Sequence, residues 1–352
     1  MAVLISATLN SLLLKFSKSL GIRNNNDVLI RWSNQSKPSI GGISFFVIFI
    51  FSSIGYSVVF SDEYIFHNMQ YIGLLSACSL AFAMGLADDA YNTQPLIKLS
   101  IQILCGILFL ITDTNIQLFD FPLLNQILTV LWVVAIMNSL NMLDNMDGIT
   151  GTTSVFILLT CLSSSFILFE LNRNIWSILL LAQVGSIVGF LFFNINPSKM
   201  FMGDSGSQFI GLFVAFFSIK FLINIGEIVD GPNWSGMVIC LLAFTPTAVD
   251  TLTVIINRLK KGKSPMVGGK DHTTHFLVYA GLKDKQVWYI FILISALSTI
   301  LSTYLIYLSK FHIFIPILIF ITYFIVIFIL LFRLTIKYKE KEKEKVNSKD
   351  VG

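Results

Sequence analysis

The sequence predicts an all-α, polytopic integral membrane protein with about 11 transmembrane helices, its N-terminus outside and its C-terminus cytoplasmic. Three observations carry this expectation. Hydrophobic residues fill 55% of the 352 positions and charged residues only 12%, about half the share in soluble domains. The apolar residues come in blocks of about 16–23, near the ~20 helical residues that cross a hydrocarbon core. Lys and Arg are sorted onto alternate loops. The composition excludes a disordered chain, a coiled coil and a small disulfide scaffold. No basic face suits nucleic acid, so the lipid bilayer is the first partner expected.

The apolar blocks fall near 2–20, 40–60, 69–87, 97–112, 122–140, 151–170, 175–193, 205–223, 236–257, 287–308 and 312–334. Lys15 and Lys18 follow the first block, whereas a cleaved signal peptide carries its basic residues in front; the block reads as a retained first helix. Cys78, Cys105, Cys161 and Cys240 lie inside apolar blocks without CxxC spacing, as buried single thiols. One set of loops carries Arg23, Arg31, Lys37, Lys98, Lys199 and the basic run from Arg258 to Lys285. The other carries Asp62, Glu63, Asp113, Asp120, Glu170, Glu227 and Asp230, with Arg173 and Lys310. The basic set is expected in the cytoplasm. Residues 1–336 form one transmembrane domain and 337–352 a charged cytoplasmic tail. Its KYKEKEKEK run interleaves acids with lysines, so it reads as a solvated helix end rather than a lipid-binding patch.

Four polar clusters interrupt this chain, all on the expected cytoplasmic side: GLADDAYN (85–92), NSLNMLDNMDG (138–148), FMGDSGS (201–207) and GGKDHTTH (268–275). An acid at a helix centre costs about 2.5–3.5 kcal/mol on insertion scales, so one-sided clustering points to function. Asp88 and Asp89 lie about 100° apart on a helix. One can address a metal or phosphate while the other binds a neighbour, unless both only terminate the helix. Lys98, starting the next span, either snorkels to the interface or pairs with phosphate. Asn138, Asn141, Asp144 and Asp147 recur at every third position, and Gly148 lets the chain turn away. Such a stripe offers hard oxygen ligands for Mg²⁺ with a phosphorylated ligand, or alternatively an interhelical network.

The run Gly203-Asp204-Ser205-Gly206-Ser207 opens an apolar helix. Small residues there admit a ligand to backbone amides that favour anions, or Asp204 simply caps the helix. The GDSGS string lacks the His and Asp partners of a serine protease. His272 and His275 stand among Arg258, Lys260, Lys261, Lys263 and Lys270. Without HExxH or a cysteine partner they suit a diphosphate better than zinc. Asp250 lies about 10 Å inside the preceding span, either functional or locking helices together.

In this order and on this topology, the clusters resemble the polyprenyl-phosphate N-acetylhexosamine-1-phosphate transferases of glycosyltransferase family 4, to which the muramoyl-pentapeptide translocase is related. The resemblance covers nearly the whole chain. KPSIGGISF (37–45) is similar to the family's early Pro-x-x-Gly-Gly segment, and Asn194 takes its place ahead of Asp204. PTAVD followed by Arg258 and a histidine loop is more similar to the N-acetylglucosaminyl branch than to the muramoyl-pentapeptide branch. The resemblance implies transfer of N-acetylhexosamine-1-phosphate from UDP-N-acetylhexosamine to undecaprenyl phosphate, with UMP released. It implies Mg²⁺ or Mn²⁺ as cofactor, and a bacterial inner membrane with the site facing the cytoplasm. It implies Asp88, Asp89, Asp144 and Asp147 as catalytic residues and Asp204, Asn141 and Asp144 as metal ligands. Lys98, Asn141, Asn194, Gly203, Ser207, Arg258, His272 and His275 are the implied substrate contacts. Two positions depart from the family's pattern: Asn92 replaces the third acid of the first motif, and Thr274 the middle histidine of His-x-His-His, where a histidine is expected to be tolerated. A secondary transporter, with acids at the midplane of broken helices, is the rival reading. A CDP-alcohol phosphotransferase is disfavoured because no Asp-Gly-x-x-Ala-Arg run follows Asp147.

Overall fold

The computed structural model describes residues 1–17, 37–60, 64–169, 174–264 and 269–338. Among these, the backbone is helical apart from short connections and one parallel bridge between Ser39 and Phe201. Arg23, Arg31, Asp62, Glu63, Glu170, Arg173 and the tail from 339 onward lie outside the described residues.

The helices follow the apolar blocks in order. They are α1 (Ala2–Ser17), α2 (Gly42–Val59), α3 (Met69–Tyr91), α4 (Pro95–Ile111), α5 (Pro122–Leu143), α6 (Ile149–Phe169) and α7 (Ile175–Asn194), then α8 (Gly203–Ser218) with a π-helical turn over Ile219–Ile223. After these come α9 (Ile225–Ile228), α10 (Trp234–Ala243), α11 (Thr245–Lys260), α12 (Thr273–Tyr279), α13 (Asp284–Ser309) and α14 (Ile315–Lys337). Their starts have local causes. Asn68 and Asn174 cap α3 and α7 by accepting from the amides of Tyr71 (3.1 Å) and Ser177 (2.9 Å). Pro95 and Pro122 open α4 and α5, where the missing N–H is not needed.

The helices bear out the expected span count in part. Among the described residues eight helices are long and apolar enough to cross a membrane, or nine if α10 and α11 together make one span. Helices α1 and α4, with 16 and 17 residues, are shorter. The block expected at 236–257 is not straight: α10 and α11 meet at 83°. Phe244 ends α10, and Pro246 in the first turn of α11 has no N–H to carry the ladder through. The chain is a multi-pass membrane protein by these helices.

Helix α8 is the axis of the fold. Every residue from Ser205 to Ser218 is buried, as expected of a helix apolar on all sides. It packs chiefly on α3 and α5, with α2 alongside. Phe209, Phe213, Phe216 and Phe217 interlock with Phe49, Phe109 and Trp176, mostly edge-to-face. A bilayer gives no hydrophobic drive between helices, so close packing has to supply the cohesion. Gly85 admits a close approach of α3 to α8: a Cβ there would strike the carbonyl of Asp204 and the Cα of Ser205. Asp88 and Asp89, one turn farther along α3, are thereby set at the first turn of α8. Residues 38–42 brace the same turn. The amide of Phe201 donates to Pro38 O (2.9 Å), and those of Gly41 and Gly42 to Phe201 O (3.1 Å) and Met202 O (2.9 Å).

Candidate active site

The C-terminal ends of α3 and α5 and the N-terminal ends of α4 and α8 converge, and their polar side chains form one cluster. Lys98 Nζ donates to Asp88 Oδ2 at 2.8 Å and to Asp204 Oδ1 at 3.0 Å, bridging two carboxylates. Thr93 fixes the other Asp88 oxygen through its amide (2.8 Å) and hydroxyl (2.6 Å). Asn141 Nδ2 donates to Asp204 Oδ1 and, at 2.8 Å, to Ser207 Oγ. Asp204 lies inside the first turn of α8, with Met202 at the N-cap, so it does not serve as the cap.

Asp89 faces another way, as adjacent helical residues must. Its two oxygens accept from the amides of Asp204 and Ser205, both at 2.9 Å. These are among the amides that a helix start leaves without intrahelical partners. Gly203, with φ of +76°, holds a conformation that suits glycine, and a Cβ there would come within 2.7 Å of Asp89 Oδ2. Asn92 ends α3 in the left-handed region (φ 50°), which Asn tolerates better than most side chains. That gives the departure from a third acid a local backbone reason.

The expected stripe on α5 divides. Asn138 turns to Gln102 on α4, its Nδ2 donating to Gln102 Oε1 at 2.7 Å. Asn141 reaches Asp204 as described. Asp144 is the C-cap, so the helix has ended before Asp147. Asp147 Oδ2 accepts from the Ser198 amide at 3.2 Å and lies 3.8 Å from Lys37 Nζ. Gly148 does turn the chain, at φ +78°. Its amide donates to Asn194 Oδ1 (3.0 Å), and Asn194 Nδ2 donates to Met200 O (2.9 Å). Buried Asn194, expected to contact substrate, therefore spends both ends of its amide on the backbone and acts here as a strut.

The basic loop also differs from expectation. Arg258 is buried and donates to Asp271 in bidentate fashion, Nε to Oδ2 at 2.9 Å and a terminal nitrogen to Oδ1 at 2.7 Å. Burial alone would raise the Asp271 carboxyl, but the hydrogen-bonded guanidinium outweighs it and holds the group below the usual carboxylate range. His272 Nδ1 lies 2.8 Å from Asp250 Oδ2, and the other Asp250 oxygen accepts from the Thr273 amide (2.8 Å) and hydroxyl (2.6 Å). His275 is buried. Burial first, then the neighbouring His272, push its imidazole down to about 3, so it is neutral near pH 7. Thr274 is fully buried and donates to Asn145 Oδ1 at 2.6 Å, so a larger histidine at this position would have to displace packed neighbours.

The match to known proteins covers the same ground. The description "Glycosyl transferase family 4" belongs to the family model that matches residues 71–222. The undecaprenyl-phosphate alpha-N-acetylglucosaminyl 1-phosphate transferase of Haemophilus influenzae is 30% identical over 285 residues, 76% of this chain and 74% of that one. The chain belongs to glycosyl transferase family 4. Two further relatives are similar to it. The probable undecaprenyl-phosphate N-acetylglucosaminyl 1-phosphate transferase of Bacillus subtilis is 29% identical, covering 80% of this chain and 78% of that one. The phospho-N-acetylmuramoyl-pentapeptide-transferase of Streptococcus uberis is 27% identical, covering 62% and 70%. The family 4 segment holds Asp88, Asp89, Lys98, Asn141, Asp144, Asp147, Asn194, Asp204 and Ser207; Asp250, Arg258 and the histidines lie beyond it.

Sequence reasoning passed over Thr93, Asn145 and Asp271, each of which holds an expected site residue or its loop. Asp271 had a visible signal, a lone acid in a basic run. Thr93 lies only five residues from its partner Asp88, whereas Asn145 had no signal, because packing brings its partner Thr274 from 129 positions away.

Proposed function

We propose that this family 4 protein transfers N-acetylglucosamine-1-phosphate from UDP-N-acetylglucosamine to undecaprenyl phosphate. An oxygen of the lipid phosphate attacks the β-phosphorus, the bridging bond to the α-phosphate breaks, and UMP leaves. The names of the Bacillus and Haemophilus relatives support undecaprenyl phosphate as acceptor and N-acetylglucosamine 1-phosphate as the group transferred, and the UDP donor is inferred from the family. The observation that carries the site is the convergence of Asp88, Lys98, Asn141 and Asp204 where four helices end. In this reading the site faces the cytoplasm from a bacterial inner membrane, where a lipid phosphate at headgroup depth can meet a soluble nucleotide. Family membership sets the transporter reading aside.

A divalent cation, Mg²⁺ or Mn²⁺, belongs to the same proposal, and the donor set fits it. Asp88 and Asp204 already converge on the ammonium of Lys98, so their carboxylates suit a shared positive charge. Among the described residues no three His, Cys, Asp or Glu side chains form a cage. Mg²⁺ takes one or two carboxylates and completes its shell with water and phosphate. Of the ligands the resemblance implies, Asp204 and Asn141 stand together in the cluster and would hold it with Asp144 from the turn after α5, and when bound it would neutralise diphosphate charge. Lys98 supplies a fixed positive charge between the two acids. Thr93 keeps Asp88 oriented, and Asp89 aims the turn that carries Asp204.

The test uses the purified full chain with undecaprenyl phosphate, a panel of UDP-sugars and Mg²⁺. UMP should form from UDP-N-acetylglucosamine only when the lipid phosphate is present, and EDTA should stop it. Lipid-independent release of UMP would overturn the transfer, and turnover surviving EDTA would overturn the metal.

A further inference from the structure

At the end of α8 opposite Asp204, the structure holds a cavity of about 350 Å³. Lys220 stands sixteen helical steps beyond Asp204, about 24 Å at 1.5 Å per step, most of a hydrocarbon core. The cavity lies among the N-terminal ends of α3 and α7, the chain leaving α4, and the π-helical turn after α8. Single π-helical turns are rare and often mark functional positions.

Lys220 sits on this turn. Its Nζ donates to Gln70 Oε1 at 2.7 Å and stands 4.5 Å from the centre of the Trp176 ring. Gln70 Nε2 donates in turn to Asp113 O at 2.7 Å. No described carboxylate forms an ion pair with Lys220. An ionisable side chain within a span calls for a partner. Two acids, Asp113 and Glu227, also line the cavity and are exposed at its rim. Asn224 pins the floor, accepting from the Gln117 amide and donating to Asn115 O, both at 2.9 Å.

These charges select among ligands. A simple cation would leave Lys220 unmatched. An anion alone would meet two carboxylates for one ammonium. A quaternary ammonium wants an open aromatic face, and that of Trp176 is taken by Lys220. A zwitterion with a phosphate and a primary ammonium satisfies both signs, the ammonium donating to carboxylates and the phosphate accepting from lysine. The size is at the small end for ligand pockets, suited to a headgroup. We propose that this cavity binds the phosphoethanolamine headgroup of a bilayer phospholipid, with its phosphate at Lys220 and its ammonium toward Asp113 and Glu227. The site is separate from the transferase site and does not depend on the reaction assigned there.

The test is thermal unfolding of the detergent-purified full chain with dihexanoyl-phosphatidylethanolamine. The phosphatidylglycerol and phosphatidylcholine analogues and tail-less O-phosphoethanolamine serve as comparators, and native mass spectrometry reports retained lipid. The ethanolamine lipid should raise Tm most, since a ligand that binds only the folded chain stabilises it. Lys220→Met should weaken half-saturation at least tenfold and Lys220→Arg should largely keep it. The double change Asp113→Asn with Glu227→Gln should erase the preference over phosphatidylcholine. An equal shift with phosphatidylglycerol, or an unaltered one in Lys220→Met, would overturn the proposal. An equal effect of O-phosphoethanolamine would overturn a lipid as the source. Wild-type protein that retains no phosphatidylethanolamine from an ethanolamine-rich membrane would overturn the site whatever the variants do.

Discussion

Asp89→Asn separates positioning from direct chemistry. The carboxylate accepts from the amides of Asp204 and Ser205 at 2.9 Å each, and these amides open a helix. An asparagine keeps one acceptor oxygen and turns an NH₂ toward the other amide. One charge-assisted bond is lost, a change of about 1.5–3 kcal/mol. Taking about 2 kcal/mol, the opening equilibrium of this turn rises roughly 30-fold, at about 1.4 kcal/mol per decade. Hydrogen exchange read by mass spectrometry over residues 201–208 should accelerate by that order, because local opening governs exchange there. Asp88→Asn, one residue earlier, touches neither amide and should leave exchange unaltered. Turnover of Asp89→Asn should fall because Asp204 is no longer aimed, with the KM for UDP-sugar changed less than kcat. If turnover collapses while exchange at 201–208 stays at the wild-type rate, Asp89 acts on substrate and the positioning argument is wrong.

Lys98→Met leaves Asp88 and Asp204 facing each other without their shared cation; UMP release should drop by about 10²-fold or more, the scale of one lost electrostatic contact in a site, and Lys98→Arg should recover part of it. A wild-type rate in Lys98→Met would refute this. His275 titrates at about 3 when folded against about 6.5 unfolded, so the unfolded chain binds the extra proton between those values and stability falls as pH drops through that window. At pH 5.5 the loss is about 1.3 kcal/mol relative to neutral pH, and His275→Gln should flatten that part of the Tm-against-pH curve. For topology, cysteines placed at 230 and 263 should be labelled from opposite sides, 263 from the cytoplasm. The native Cys78, Cys105, Cys161 and Cys240 are all buried and give little background. Labelling of both from one side would reject the expected sidedness.

The helices were legible because each apolar block is long against the uncertainty of its ends. The break between α10 and α11 was not, since a hydropathy window averages across Phe244, and Pro246 was its one local sign. Side-chain partners were harder still. The amides that Asp89 accepts from come from a helix more than a hundred positions away, brought close only because Gly85 lets α3 pack against α8. In the basic loop the sequence invited counting charges, whereas the fold spends the cation of Arg258 on Asp271 and buries the imidazole of His275 until it is neutral. Like-signed residues in a row say little about free charge once a single acid among them is bidentate with the innermost.

The α5 stripe carries the same lesson to the site. A spacing of three suggested one ligand surface, but the helix stops at Leu143, and its last turn with the chain just after it sends each polar residue to a different neighbour. Asn141 holds Asp204, Asn145 receives Thr274 from the histidine loop, Asp147 meets Ser198 and Lys37, and Gly148 hangs on Asn194. The turn thus ties the first turn of α8, the histidine loop and the segment before α8 to one short piece of backbone. Residues that share such a piece couple instead of adding. The histidine loop can therefore matter for turnover without its side chains touching a phosphate, by setting where Asn141 and Asp144 stand relative to Asp204.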